Sequence, residues 1–142
     1  MSAAATAPPP SPTAVKLISS LVGAASLFIL IQAVTAGVFV RHPDKTTWVH
    51  AHQGLAYLVA LLALAAVIVA FTTWKGMVGA KMVQYETVAL LIGVVIQIGI
   101  GSQIGTSGHA GLLAIHIPLA LIIFGVALHL STFVSNLKRT AR

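Results

Sequence analysis

The chain has 142 residues, of which 58% are hydrophobic and 7% charged, with eight Lys and Arg against two Asp and Glu. So few charges cannot cover the surface of a water-soluble domain of this size, and the composition is that of an integral membrane protein. There is no cysteine, which excludes disulfides, iron–sulfur clusters, thiolate heme ligands and cysteine-based zinc sites. The net charge of +6 sits in loops and at the C-terminus, where orientation signals and anionic lipid headgroups account for it without nucleic acid.

Residues 1–14, MSAAATAPPPSPTA, are rich in Ala and Pro, carry no charged side chain and read as a disordered tail. Four apolar segments follow, at about 15–40, 47–74, 83–106 and 110–136, and a basic tail closes the chain at 138–142. Each segment is longer than the ~20 residues needed to cross the hydrocarbon of a bilayer. None alternates apolar with polar residues as barrel strands do. The expectation is an all-α fold, a bundle of four transmembrane helices in a single domain spanning 15–137.

The first segment carries Gln32, and Val34-Thr35-Ala36 before Gly37 resembles a signal-peptide cleavage site. The apolar run ahead of it exceeds the usual length and only Lys16 marks a basic start, so it is read as helix 1. Asp44, in the following loop, is placed to neutralise Arg41 or Lys45. The second segment opens on VHAHQG, with His50 and His52 at its head. The third holds Glu86, read as an interfacial salt-bridge partner near Tyr85 and Lys81. Its Gly93, Gln97 and Gly101 share one face, suited either to ordinary helix packing or to close approach of a porphyrin. The fourth holds His116, Pro118 and His129, with His109 just before it. Pro118 lacks the N–H that would reach the carbonyl of Ala114. His129 reads as a polar packing residue, and Met77 and Met82 are expected in the loop between helices 2 and 3.

Lys16, Lys75, Lys81, Lys138, Arg139 and Arg142 fall at one set of helix ends, and only Arg41 and Lys45 at the other. The positive-inside bias then places both termini in the cytoplasm, in the plasma membrane of a bacterium. His42, His50, His52 and His109 come to the outer ends, with His116 about two turns into helix 4.

The two halves of the chain also look like copies of one hairpin. Gln32 in ILIQAVTAG aligns with Gln97 in VVIQIGIGS at an offset of 65, and His52 with His116 at an offset of 64. In the second alignment Leu55 meets Leu119, Ala56 meets Ala120, Ala63 meets Ala127 and Leu64 meets Leu128. Leucine and alanine matches are easily made between apolar helices, but polar residues inside a bilayer need a reason. A parallel repeat about an axis along the membrane normal puts Gln32, Gln97, His52 and His116 in one layer.

Two imidazoles facing each other across a bundle can ligate heme iron from both sides, given small neighbours that leave room for a flat macrocycle. His52 is followed on its face by Ala56, Val59, Ala63, Ala66 and Ala70, and His116 by Ala120, Ile123 and Ala127. The expected cofactor is one heme b, with His52 and His116 as metal ligands and Gln32 and Gln97 beside them. His50, His109, Arg41 or Lys45 are placed to meet its propionates. His50 and His52 point about 160° apart around a helix, so only one of them faces the bundle. The plainer readings are an interfacial cap for His52, and for His116 a hydrogen bond to Gln32, Gln97 or a backbone carbonyl. A closed zinc or copper site wants three or four ligands, and this layer has no acidic side chain.

With HAHQGLAYLVALLAL and LLAIHIPLALIIFGVAL, the sequence resembles a small bacterial family of four-helix membrane proteins. It is more distantly similar to one four-helix half of heme A synthase over nearly all of residues 16–137. In that enzyme each half brackets a heme with a helix-2 and a helix-4 histidine, and the resemblance implies His52 and His116 in those roles. The enzyme also has a glutamate shortly before its helix-2 histidine and commonly an arginine after it. Here Trp48-Val49-His50-Ala51 precede His52 and Gln53 follows it, so the resemblance implies heme binding and not the oxidative catalysis. The expected function is a b-type cytochrome-like membrane protein for one-electron transfer. The alternatives are a heme-free accessory or assembly subunit of a larger respiratory complex, and a quinone or lipid binder using the Gln and His layer.

Overall fold

A Ser–Pro pair starts the first helix. Ser11 is its N-cap, its hydroxyl accepting from the backbone N–H of Ala14 at 3.1 Å, and Pro12 occupies the first turn, where a missing N–H costs nothing. The structure is a computed structural model and describes residues 7–42, 46–107 and 110–140. Helix α1 is Pro12–Arg41, α2 is Thr46–Thr73, α3 is Ala80–Ser107, and a 3₁₀ turn at Ala110–Leu112 leads into α4, Leu113–Thr140. All four are long and apolar enough to cross a membrane. Among the described residues there is no strand. The chain is a multi-pass, all-α membrane protein, and an even number of crossings puts both termini on one face.

Two boundaries differ from the sequence expectation. The tail expected over 1–14 gives way to helix at Pro12, and Ala14 is buried. Just before it, Pro10 is buried and the carbonyl of Pro8 accepts from the N–H of Val78 at 2.9 Å. That segment therefore lies along the turn joining α2 to α3. Met82, expected in the same turn, falls in the first turn of α3, because the turn closes early on Gly76 and Gly79, both at positive φ. At Gly79 a Cβ would also stand 2.7 Å from Leu137 Cδ1, so the turn packs against α4 where only glycine fits.

The helices form a ring. α1 and α3 each pack against both α2 and α4, while α1 and α3, like α2 and α4, are diagonal, with no close backbone approach among the described residues. Buried positions run in heptad-like steps: Ile18, Val22 and Ala25 on α1; Val59, Ala63, Ala66 and Ala70 on α2; Val83, Thr87, Leu90 and Val94 on α3; Ile123, Ala127, Leu130 and Val134 on α4. Lipid is as apolar as these side chains, so close packing of small residues holds such helices together. The alanines of α2 supply it. Trp74 closes the stripe, fully buried, its indole N–H donating to the carbonyl of Ala14 at 3.3 Å. The outward faces are apolar as well, with Leu61, Leu121 and Ile122 exposed, as a bilayer requires.

The buried stripe covers only half the bundle. Beyond the layer of Ala25, Val59, Val94 and Ile123, toward the two hairpin loops, the only buried residues among those described are Ser26 and Thr35. Continuing the same steps in that direction reaches Gln32 and Ala36, Ala56 and His52, Gln97 and Gly101, and Ala120 and His116. All eight are half-buried. The termini side is a packed core, and the loop side is lined by small and polar residues.

Candidate functional site

Aligned positions of the two hairpins share their environments. Ala63 and Ala127 are both fully buried, Leu55 and Leu119 half-buried, and Leu64 and Leu128 exposed. The polar pairs go further. Gln32 Nε2 donates to the backbone carbonyl of His52 at 3.1 Å, and Gln97 Nε2 donates to the backbone carbonyl of His116 at 2.8 Å. Each glutamine amide thus ties the histidine turn of the next helix to its own. In hydrocarbon, where no water competes, such interhelical bonds fix register. The glutamines, expected beside a cofactor, hold the backbone that carries the histidines.

His52 is held by its ring as well as by its backbone. Its Nδ1 lies 3.0 Å from the carbonyl oxygen of Gln32 and 3.3 Å from Thr35 Oγ1. The Thr35 hydroxyl itself donates to the Gln32 carbonyl at 2.9 Å, so the hydrogen between ring and carbonyl belongs to Nδ1. That network assigns the tautomer and leaves Nε2 with its lone pair free for a metal. Phe39 meets the ring edge-on with centroids 5.4 Å apart.

His116 is seated differently. Ile100 stands where the repeat has Thr35, and His116 Nδ1 is buried without a hydrogen-bond partner, as is Gln97 Oε1. Gly101 lets the ring lie against helix α3: a Cβ there would come within 3.1 Å of His116 Cε1. Gly93, on the same face, serves helix packing, since its Cβ would fall 2.9 Å from Ile123 Cγ1. Both glycines therefore meet side chains of α4. Measured from Ala110, His116 is as deep in its segment as His52 is from Thr46, because the 3₁₀ turn replaces the first α-helical turn. The two imidazoles sit on the diagonal helices α2 and α4.

His50 is exposed, so His52 is the helix-2 histidine that faces the bundle. His109, Asp44 and Lys45 lie outside the described residues. Among the described residues no group of three or more His, Cys, Asp or Glu is placed to hold a metal ion.

One pair was not read from the sequence. His129 Nδ1 lies 2.6 Å from Glu86 Oε1, across α4 and α3 on the termini side. His129 is 62% exposed, so it is not the packing residue expected. Glu86 does find a partner, but it is His129 of the neighbouring helix, and its Oε2 is buried without one. The available signal was two ionisable residues inside apolar segments that become antiparallel neighbours. Comparison of the chain with protein-family models, with curated proteins and with solved structures finds no match.

Proposed function

We propose that the chain is a b-type cytochrome-like membrane protein that binds one heme between His52 and His116. The observation that supports this reading is the loop-side half of the stripe. Two imidazoles stand on diagonal helices at matched depth, where Ala36, Ala56, Gly101 and Ala120 leave the interior half-buried. A buried, unpartnered His116 Nδ1 and a His52 whose free nitrogen is Nε2 suit an imidazole-binding occupant. His52 and His116 would hold the iron, and a heme so held would supply reversible one-electron transfer. The chain's own residues orient the ligands: the Gln32 carbonyl and Thr35 hold the His52 ring, and Gln97 holds the His116 backbone. The excess of cations at the termini face supports a reading in which that face lies in the cytoplasm, the membrane being the plasma membrane of a bacterium. The resemblance to one half of heme A synthase points to the same two histidines.

The test is heme content per chain, by pyridine hemochrome, in protein purified from heme-replete cells. The expected result is one heme per chain, lost in His52→Ala and in His116→Ala and kept in His50→Ala. Retention of heme in both of the first two variants overturns the assignment.

A further inference from the structure

His52 and His116 occupy aligned positions of the two hairpins, and a glutamine amide ties the backbone of each in the same way. Their rings are not held alike. His52 Nδ1 lies 3.0 Å from the carbonyl oxygen of Gln32 and 3.3 Å from Thr35 Oγ1. On α3 the position that answers to Thr35 is Ile100, which has no hydroxyl. There the His116 ring lies against Gly101, and its Nδ1 is buried without a hydrogen-bond partner. That burial leaves Nε2 as the nitrogen His116 has for a metal. A polar atom buried unpartnered in hydrocarbon costs stability. Isoleucine keeps that cost at one histidine, where threonine helps to answer it at the other.

The consequence, which rests on the heme reading, concerns electron affinity. A neutral imidazole that binds a metal through Nε2 carries its hydrogen on Nδ1. Where that hydrogen is donated to a carbonyl, the ring becomes the more basic ligand and favours the oxidised metal. Where it meets no acceptor, the ring stays the poorer donor and the reduced metal is favoured. His52 is the first case and His116 the second. We propose that Ile100 is a positioning residue that tunes this site. By withholding a hydrogen bond from His116, it holds the midpoint potential above that of a site with threonine in both hairpins. Thr35 acts in the opposite sense through His52. Each side chain works through a histidine ring rather than on the iron.

The experiment is a redox titration of the purified full chain with dithionite and ferricyanide, followed at the Soret band. Ile100→Thr should lower the midpoint potential. The shift should match about a fivefold change in the oxidised-to-reduced ratio at fixed ambient potential, the scale of one hydrogen bond. Ile100→Val has the shape of threonine without its hydroxyl and should leave the potential unchanged. Thr35→Val should raise it, and Thr35→Ser should not. A second reading needs no heme: ¹⁵N-histidine spectra of the full chain in phosphatidylcholine nanodiscs, with the His116 signals identified by their loss in His116→Ala. Ile100→Thr should shift the His116 Nδ1 resonance and Ile100→Val should not. One heme per chain with equal potentials in Ile100→Thr and Ile100→Val overturns the tuning role and leaves the heme reading standing. An Nδ1 resonance that Ile100→Thr does not shift overturns it as well. A colourless preparation of the unaltered chain overturns both.

Discussion

The two halves of this bundle use one heptad-like stripe for opposite ends. On the termini side the stripe is Ile18, Val22, Ala66, Ala70, Val83, Leu90, Leu130 and Val134, all fully buried, with Trp74 closing it. On the loop side the same steps bring glutamine, histidine, glycine and alanine, all half-buried. A stripe that keeps its periodicity but loses full burial midway gives the bundle a fully buried end and a half-buried, polar-lined end. Gln32, His52 and Gln97 are tied through helix backbones, whereas His116 Nδ1 and Gln97 Oε1 are buried without a partner.

The largest expected effect is on the packed side. Trp74→Ala should cost about 3 kcal/mol, the lower end for such truncations, because unfolded helices stay in lipid and only packing and the bond to Ala14 are lost. Reversible unfolding in mixed micelles measures it. Ala56→Leu is the matching change on the loop side. It should leave stability unaltered and remove heme, whereas a loss of about 1–3 kcal/mol, the usual cost of overpacking, would show that both halves are equally filled.

Gly93→Ala places a Cβ 2.9 Å from Ile123 Cγ1 and should cost about 1–2 kcal/mol through overpacking. Gly99→Ala, where the added Cβ meets nothing within 4 Å, is its control, and thermal denaturation separates the two. A smaller effect sharpens the contrast between the hairpins. Thr35→Val removes the hydroxyl that braces Gln32 and His52, for a loss of about 1 kcal/mol. The converse change, Ile100→Thr, offers the unpartnered His116 ring a hydroxyl and should gain a few tenths of a kcal/mol up to about 1 kcal/mol. Equal losses from both changes would show that the hairpins do not share a geometry.

Much of this was legible in the sequence. Four uncharged runs define four spans, since bilayer thickness sets helix length independently of tertiary detail. Gln32, His52, Gln97 and His116 stood out because polar residues are costly inside a membrane and these recur at nearly one offset. The role of the glutamines was not legible, because an amide aimed at a neighbouring helix's carbonyl depends on the rotation of both helices. Thr35 escaped for a related reason: a hydroxyl that bonds its own helix looks like ordinary back-bonding until the histidine ring is in place. Glu86 and His129 are 43 residues apart and meet only through the antiparallel register of α3 and α4, which no local pattern encodes. The helix start at Pro12 was obscured by its prolines, read as disorder although one of them is suited to a first turn.

The most direct test of the central claim is the reduced-minus-oxidised absorption spectrum of the purified, full-length protein from heme-replete cells. A sharp Soret band that shifts on dithionite reduction is expected, with an α band that carbon monoxide leaves unchanged if His52 and His116 together hold the iron. A colourless preparation would contradict it.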